Sequence, residues 1–182
     1  SETMQGFFGN ASNAIIKNVG LENVDIISNE STAGLLAGTG SNASITNCYV
    51  TGKLKGYASV SGLASDLRGT VEACYTNVSI SVSTGGNGGL IGMFRGGSIK
   101  NSYSEGNMYG MHSGMSGGFI GEINNAVVEN CYSSVTSSSF YYGFACEADS
   151  DSTILNSLSI KIKRGIYLIC QFTLNPSLST EL

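Results

Sequence analysis

The sequence contains little of several residue types, and each shortage argues against a class of protein. It has no Trp, one Pro and one His in 182 residues, and only 12% of its residues are charged. Nine Lys and Arg against 13 Asp and Glu give a net charge of −4, so no basic stripe is available to bind nucleic acid. No apolar run approaches the roughly 18 residues of a membrane helix. The chain opens SETMQGFFG without an initiator Met, and we expect it to be a piece of a longer protein with neighbouring domains.

A short phrase recurs along the chain at a nearly constant spacing. An apolar phrase led by Gly, such as GLLAG or GFIG, begins at residues 6, 34, 62, 89, 118 and 143, in steps of 25 to 29 residues. Each copy is followed by a second phrase such as ITNCY, VEACY, IKNSY or VENCY. A period in this range is typical of repeat architectures, in which one unit buries its apolar face only by stacking on the next.

The residues between the glycines favour short strands. They are β-branched and polar, with pieces of three to five residues bounded by Gly, Asn and Ser, and they lack the 3.6-residue period of a helix. We therefore predict an all-β fold, a right-handed parallel β-helix of about six turns with roughly 28 residues per turn. Residues 1–162 form this domain, and residues 163–182 are an atypical tail that either caps the last turn or is a truncated end. A leucine-rich repeat has a similar period, but its L-x-x-L-x-L strand is missing.

Equivalent positions of successive turns lie one above another and form columns along the axis. Two apolar columns are predicted to fill the core: Ile16, Ile45, Val71, Ile99, Val128 and Ile154, and Phe7, Leu35, Leu63, Leu90, Phe119 and Phe144. Alternating charges occupy the position directly after the Ile/Val column and before a column of Asn residues, with Lys100 between Glu72 and Glu129. We expect these three side chains to face outward and to pair weakly.

An Asn column occurs two residues after the first apolar column. Asn tolerates left-handed backbone, and its amide can bond to the amide of the next rung, as in cross-β ladders. We predict a structural ladder at a corner of the solenoid, broken by Ala73 in the third turn. Its members are Asn18, Asn47, Asn101, Asn130 and Asn156.

A Tyr column follows two residues later. If the Asn corner resets the alternation of side chains, the intervening Cys column faces inward and the Tyr column faces outward. An external aromatic ladder is a candidate surface for contact with a glycan or a host protein; the alternatives are that the rings only cover the wall or that they point inward. Its members are Tyr49, Tyr75, Tyr103 and Tyr132.

The sequence offers no catalytic, cofactor or metal constellation. Of its five cysteines, Cys48, Cys74 and Cys131 share one small position and are predicted to be free buried thiols, and Cys146 and Cys170 lie elsewhere. His112 is the single His and there is no C-x-x-C, which argues against zinc. The acidic segment EADSDST, residues 147–153, lacks the Gly and the distal Glu of an EF-hand and is interpreted as a solvated loop.

The units GLLAG…ITNCYVTG (34–52) and GGLIGMFRGGSIKNSYSEG (88–106) resemble the GLUG repeat, a G-L-x-G phrase followed by I-x-N-C-Y-x-x-G. The match is close in turns two, four and five and looser in turns one, three and six. In bacteria this repeat is associated with secreted or surface proteins, including adhesin-like proteins and IgA-specific metalloendopeptidases. The H-E-x-x-H motif of those peptidases is missing here, so the resemblance implies no protease activity.

The resemblance and the composition together lead to one expectation about function. We expect a non-catalytic extracellular segment of a bacterial surface or secreted protein, acting as an adhesin-like binding wall or as a stalk. Its partner would be a glycan or a host protein. We expect the segment to bind no nucleic acid, to use no cofactor and to contain no membrane span. The alternative is a polysaccharide-active β-helix enzyme, a lyase or hydrolase, which requires carboxylates that converge in one groove with a basic residue.

Overall fold

The structure, a computed structural model, describes residues 5–110, 115–137, 143–163 and 166–174. Within them every regular element is a strand. The first three turns contain β1 (Ala11–Ser12), β2 (Ile15–Lys17), β3 (Gly20–Ile27), β4 (Thr32–Ala33), β5 (Leu36–Thr46), β6 (Tyr49–Gly56), β7 (Val60–Ser61), β8 (Ala64–Glu72) and β9 (Tyr75–Val82). The later turns contain β10 (Asn87–Gly88), β11 (Ile91–Lys100), β12 (Tyr103–Tyr109), β13 (Ser116–Gly117), β14 (Ile120–Ile123), β15 (Ala126–Glu129), β16 (Tyr132–Ser133), β17 (Thr136–Ser137), β18 (Ala145–Ala148) and β19 (Thr153–Lys163), before β20 (Ile166–Leu174).

Successive turns pair in parallel, each strand with its equivalent one turn away. The first apolar column is in register throughout, since Ile16 pairs with Ile45 and this alignment continues through Val71, Ile99, Val128 and Ile154. The chain is therefore a β-solenoid of about five turns with roughly 28 residues per turn, which confirms the predicted fold class. No helix in the described ranges is long and apolar enough to cross a membrane.

Corners divide each turn into walls. The first wall contains β1, the first halves of β5, β8 and β11, and then β14 and β18. The second wall contains β2, the second halves of the same three strands, β15 and the start of β19. The third wall contains β3, β6, β9, β12, β16, β17 and the rest of β19. A narrow sheet of β4, β7, β10 and β13 lies between the third wall and the first.

The bend between the first and second walls needs glycine in the middle turns. Gly69 and Gly97 have φ values of 151° and 111°. A Cβ on Gly97 would lie 1.8 Å from the carbonyl oxygen of Gly69, so no other residue fits without moving the chain. The register of β8 against β11 shifts at this point, between Phe94 and Gly97.

The two predicted apolar columns form the core, with one exception. All six residues of the Ile/Val column are buried, and so are Leu35, Leu63, Leu90, Phe119 and Phe144 of the second column. Phe7 was expected in the core and is 62% exposed, so that prediction is wrong. The physical reason is that the neighbouring residue Phe8 packs against the core instead and pairs with Leu36.

The last turn is covered by a strand that runs in the opposite direction. β20 pairs with β19 in antiparallel register, from Lys163 opposite Ile166 to Ile154 opposite Leu174. The boundary predicted at residue 162 falls inside β19. The rest of the predicted tail, 164–165 and 175–182, lies outside the described residues.

Candidate binding surface

The Asn column lies at the corner between the second and third walls. All five of its Asn residues and Ala73 have positive φ, between 46° and 58°. The Asn47 amide donates to Oδ1 of Asn18 at 2.8 Å, and the Asn130 amide donates to Oδ1 of Asn101 at 3.4 Å. Both of these amides bond to the rung below, and Ala73 interrupts the series between Asn47 and Asn101.

A second Asn corner, between the first and second walls, has no counterpart in the sequence prediction. Asn13, Asn42 and Asn125 have φ values near 50° there, and the Asn42 amide donates to Oδ1 of Asn13 at 2.9 Å. The signal was weak because the fourth turn has Gly96, with a φ of 129°, opposite Asn125, and the third turn has no residue opposite Asn42. The corner role is therefore shared between two residue types that both tolerate positive φ.

The Tyr column lies on the outer face of the third wall. The Cys and Ser residues before it and the residues after it are buried, whereas the four Tyr side chains are half-buried. Successive rings stack with centroids 4.9, 4.9 and 4.7 Å apart and planes within 5° of parallel. Gly20 is the equivalent residue in the first turn and Leu158 in the last.

The ends of this ladder are also covered. A Cβ on Gly20 would lie 2.4 Å from the Tyr49 ring, so that ring rests over the glycine backbone. Tyr132 is followed by Leu158 in the next rung. The ring faces of the four tyrosines are therefore in contact with their neighbours, and a ligand reaches only ring edges and hydroxyl groups.

Two of the hydroxyl groups bond to carboxylates in the rung below. Tyr49 donates to Oε1 of Glu22 at 2.6 Å, and Tyr132 donates to Oε1 of Glu105 at 3.2 Å. The hydrogen bond to Glu22 raises the pKa of Tyr49. Burial, together with the charge of Glu105, raises the pKa of Tyr132 to about 12. These tyrosines are neutral donors at physiological pH.

The Cys column faces inward as predicted, with free buried thiols at Cys48, Cys74 and Cys131. The Cys48 backbone N–H donates to Sγ of Cys74 at 3.4 Å, and the thiols themselves donate to backbone carbonyls. Burial raises the pKa of the Cys131 thiol to about 12, so it is inert at neutral pH. Cys146 is also free, and the side chain of Cys170 lies outside the described residues.

Two ion pairs form between charged side chains on the first and second walls. Lys100 Nζ lies 3.0 Å from a carboxylate oxygen of Glu129, as the predicted charge stack requires, and Arg95 bonds to Asp66 at 3.0 Å. In the predicted acidic loop Asp149 is a structural residue, because its carboxylate accepts from the Asn125 backbone N–H and from the Ser152 hydroxyl. Within the described ranges no three His, Cys, Asp or Glu side chains form a group that could hold a metal ion, and His112 lies outside those ranges.

The third wall also carries a depression that the sequence did not reveal. Its volume is about 370 Å³, and it is lined by Asp25, Ile27, Lys53, Leu54, Lys55, Ser79, Ser81 and Tyr109. Apart from Leu54, these residues occupy two outward columns in register from turn one to turn four, and the column of Thr51, Asn77 and Glu105 separates them from the Tyr ladder. The residues differ in type from rung to rung, so no repeated motif marks them in the sequence.

Comparison with known proteins gives one result. A family model described as the GLUG motif matches residues 29–55, which cover β4, β5 and most of β6. This match confirms the resemblance on one full turn of the solenoid. No curated protein and no solved structure matches the chain.

Proposed function

We propose that this chain is a non-catalytic solenoid segment of a secreted or surface protein of bacterial type. Outside the cell it acts either as a rigid wall that binds a ligand or as a stalk that spaces neighbouring domains. The observation that carries the proposal is the unbroken register of the Ile/Val column over six rungs. Such stacking makes an element whose length grows with each repeat, which suits a stalk. The GLUG match supports the extracellular setting, because repeats of this family occur in surface proteins.

An adhesin-like role would use the outer face of one wall. The third wall is the better candidate, since it combines the Tyr ladder with the depression beside it. Stacking has covered the faces of the four ladder tyrosines, so we propose the depression, rather than the ladder alone, as the place where a ligand binds.

The test of the extracellular role is labelling of intact cells. An antibody raised against residues 5–163 is applied to the producing cells before and after permeabilisation, with a cytoplasmic protein as the control. We expect labelling without permeabilisation or recovery of the protein from the medium. Signal that appears only in permeabilised cells contradicts the proposal.

A column of carboxylates on the first wall favours the alternative function, a polysaccharide-active enzyme. Asp66, Glu122 and Glu147 occupy one outward column of the first wall, and Arg95 contacts Asp66. The purified chain is incubated with neutral and acidic polysaccharides, and new reducing ends or unsaturated products are measured. We expect none. Turnover that is lost in Glu122→Gln would replace the non-catalytic proposal with the enzymatic one.

A further inference from the structure

We propose that the depression on the third wall binds an anionic glycan, a saccharide whose rings carry carboxylate or sulfate groups. The proposal deepens the adhesin-like role and rests on it. It is carried by the shape of the depression, by two lysines without ion pairs and by one exposed aromatic ring.

The shape follows from side-chain size in successive rungs. Lys53 and Lys55 of β6 lie directly below Ser79 and Ser81 of β9, which lie below Asn107 and Tyr109 of β12. The two short serines thus form a floor between long side chains on either side. Lys and Tyr rungs are two steps apart, roughly 9.6 Å at the spacing of parallel strands, which is wide enough for one sugar ring.

The charge in the depression is opposite to that of the whole chain. Lys53 and Lys55 are both exposed, and in the described part of the chain the ion pairs are formed by other cations, Arg95 and Lys100. Asp25 is the single carboxylate of the lining, so the site has a net charge of +1 in a chain of net charge −4. An ammonium group without a partner binds a carboxylate or sulfate through charge-assisted hydrogen bonds.

The remaining lining residues suit a sugar rather than a simple anion. Tyr109 is 44% exposed and, unlike the ladder tyrosines, lies in the column farthest from the Tyr ladder, where Ile27, Lys55 and Ser81 are its equivalents. Its ring offers an apolar face against which the C–H groups of a pyranose pack. The hydroxyls of Ser79 and Ser81 and the carboxylate of Asp25 bond to sugar hydroxyls. The site therefore has a partner for each group of an acidic sugar: lysines for the acidic group, the Tyr109 ring for the C–H face, and Ser and Asp oxygens for the hydroxyl groups.

The test measures binding by calorimetry with four probes at low and moderate salt. The probes are oligogalacturonate for carboxylate, heparin oligosaccharide for sulfate, a cello-oligosaccharide as the neutral glycan and polyglutamate as a charged peptide. We expect one or both acidic glycans to bind more tightly than the neutral glycan and than polyglutamate. Equal affinity for polyglutamate, or binding of the neutral glycan alone, overturns the proposal, as does failure of all four probes to bind at millimolar concentration.

Variants locate the site. The double variant Lys53→Gln, Lys55→Gln should weaken acidic-glycan binding roughly tenfold or more, because the loss of one charge-assisted hydrogen bond raises the dissociation constant about tenfold. The matched control removes two exposed cations from other walls, Lys17→Gln with Arg68→Gln, and should change the affinity less than about twofold. Tyr109→Ala should weaken binding roughly three- to tenfold, whereas Tyr57→Ala, an exposed Tyr outside the lining, should not.

The two proposals fail in different ways. Binding unaffected by the lysine and Tyr109 variants, with unchanged circular dichroism, places the ligand elsewhere and removes this site while leaving the surface solenoid intact. Absence of the protein from the cell surface removes the proposed function even if the purified chain binds acidic glycans.

Discussion

At the scale of single residues, the corner between the second and third walls is where residue identity matters most. Every residue of that column has left-handed backbone, which costs an ordinary L-residue roughly 1–2 kcal/mol and costs Asn less. Five rungs meet this requirement with Asn, and the third rung meets it with Ala73 at a φ of 52°. The third turn is therefore the weak point of the ladder.

We predict that Ala73→Asn stabilises the chain by about 0.5–1.5 kcal/mol. The new amide would donate to Asn47 and accept from Asn101, following the direction seen between Asn47 and Asn18. Chemical denaturation gives the free energy of unfolding. Ala73→Gly is the control, since it relieves the backbone without restoring the ladder, and it should gain less than Asn. A loss of stability in Ala73→Asn would show that the amides do not continue across the third rung.

Two neighbouring residues of the second wall, Ile99 and Lys100, lie on opposite faces of it. Ile99 is fully buried between equivalent residues above and below, whereas Lys100 faces outward and contacts Glu129. Ile99→Ala should cost about 2–5 kcal/mol because it leaves a cavity in the core. Lys100→Ala should cost less than about 1 kcal/mol, since an exposed ion pair contributes little. Similar losses in thermal unfolding would contradict the assignment of inner and outer faces.

At the scale of elements, the third wall is stabilised by a continuous stack of four rings. The central rings, Tyr75 and Tyr103, have an aromatic neighbour on both sides, whereas Tyr49 and Tyr132 have one. A stacked aromatic pair contributes about 0.5–1.5 kcal/mol beyond the area that it buries. The ladder therefore holds β6, β9, β12 and β16 in register whether or not it contacts a ligand.

Tyr75→Leu should accordingly lower the free energy of unfolding by about 0.5–1.5 kcal/mol more than Tyr49→Leu does, because it removes two ring contacts instead of one. Urea denaturation of both variants measures the difference. Tyr49→Phe, which removes only the hydroxyl bonded to Glu22, serves as the control and should cost little. If Tyr49→Leu proves the more costly change, the stack contributes less than the contacts at its end.

The ladder also predicts how stability depends on alkaline pH. The pKa of Tyr132 is raised to about 12 by burial and by Glu105, whereas an unfolded Tyr has a pKa near 10. The folded state holds this proton more tightly, so the contribution to stability is complete below about pH 10 and is lost as the pH rises toward 12. The stability of the parent chain should therefore fall more steeply than that of Tyr132→Phe over this range. Parallel pH profiles would contradict the prediction.

At the scale of the whole molecule, the two ends of the solenoid differ. About five steps of the parallel-strand spacing give an axial length of roughly 24 Å. The last parallel turn is covered by the antiparallel β20, whereas in the described part of the chain β3 of the first turn pairs with β6 alone and contains no fully buried residue. Ile15 and Ile27 of this turn are also exposed. Opening should therefore begin at the first turn.

Hydrogen exchange followed by mass spectrometry tests this expectation. Backbone amides of Gly20–Ile27 should exchange fastest among the long strands of the third wall, and those of Tyr75–Val82, which pairs on both sides, should exchange slowest. A destabilising core change in a middle turn such as Ile99→Ala should shorten the protection of β9 and leave β3 fast. Uniform exchange along the wall would indicate that the solenoid opens in a single cooperative step.

Much of the architecture could be predicted from the repeat alone. A 28-residue period places Ile16, Ile45 and Val71 above one another wherever the corners lie, because in-register stacking is the only arrangement that buries every copy. The inward Cys and outward Tyr positions then follow from two-residue alternation after the corner. Phe7 departed from the pattern because its neighbour Phe8 packs against the core in its place, where it pairs with Leu36.

The candidate site was decided only in three dimensions. Lys53, Ser79 and Tyr109 belong to three different turns and to no shared motif, and they form one depression because stacking places a rung of serines between longer side chains. Likewise the Tyr column was visible in the sequence, but that its ring faces cover one another depends on the 4.7–4.9 Å spacing of the stacked rungs. The sequence by itself determined which residues share a column, since that depends on the period. The tertiary structure decided which surfaces remain open to a ligand, since that depends on the sizes and contacts of side chains in adjacent turns.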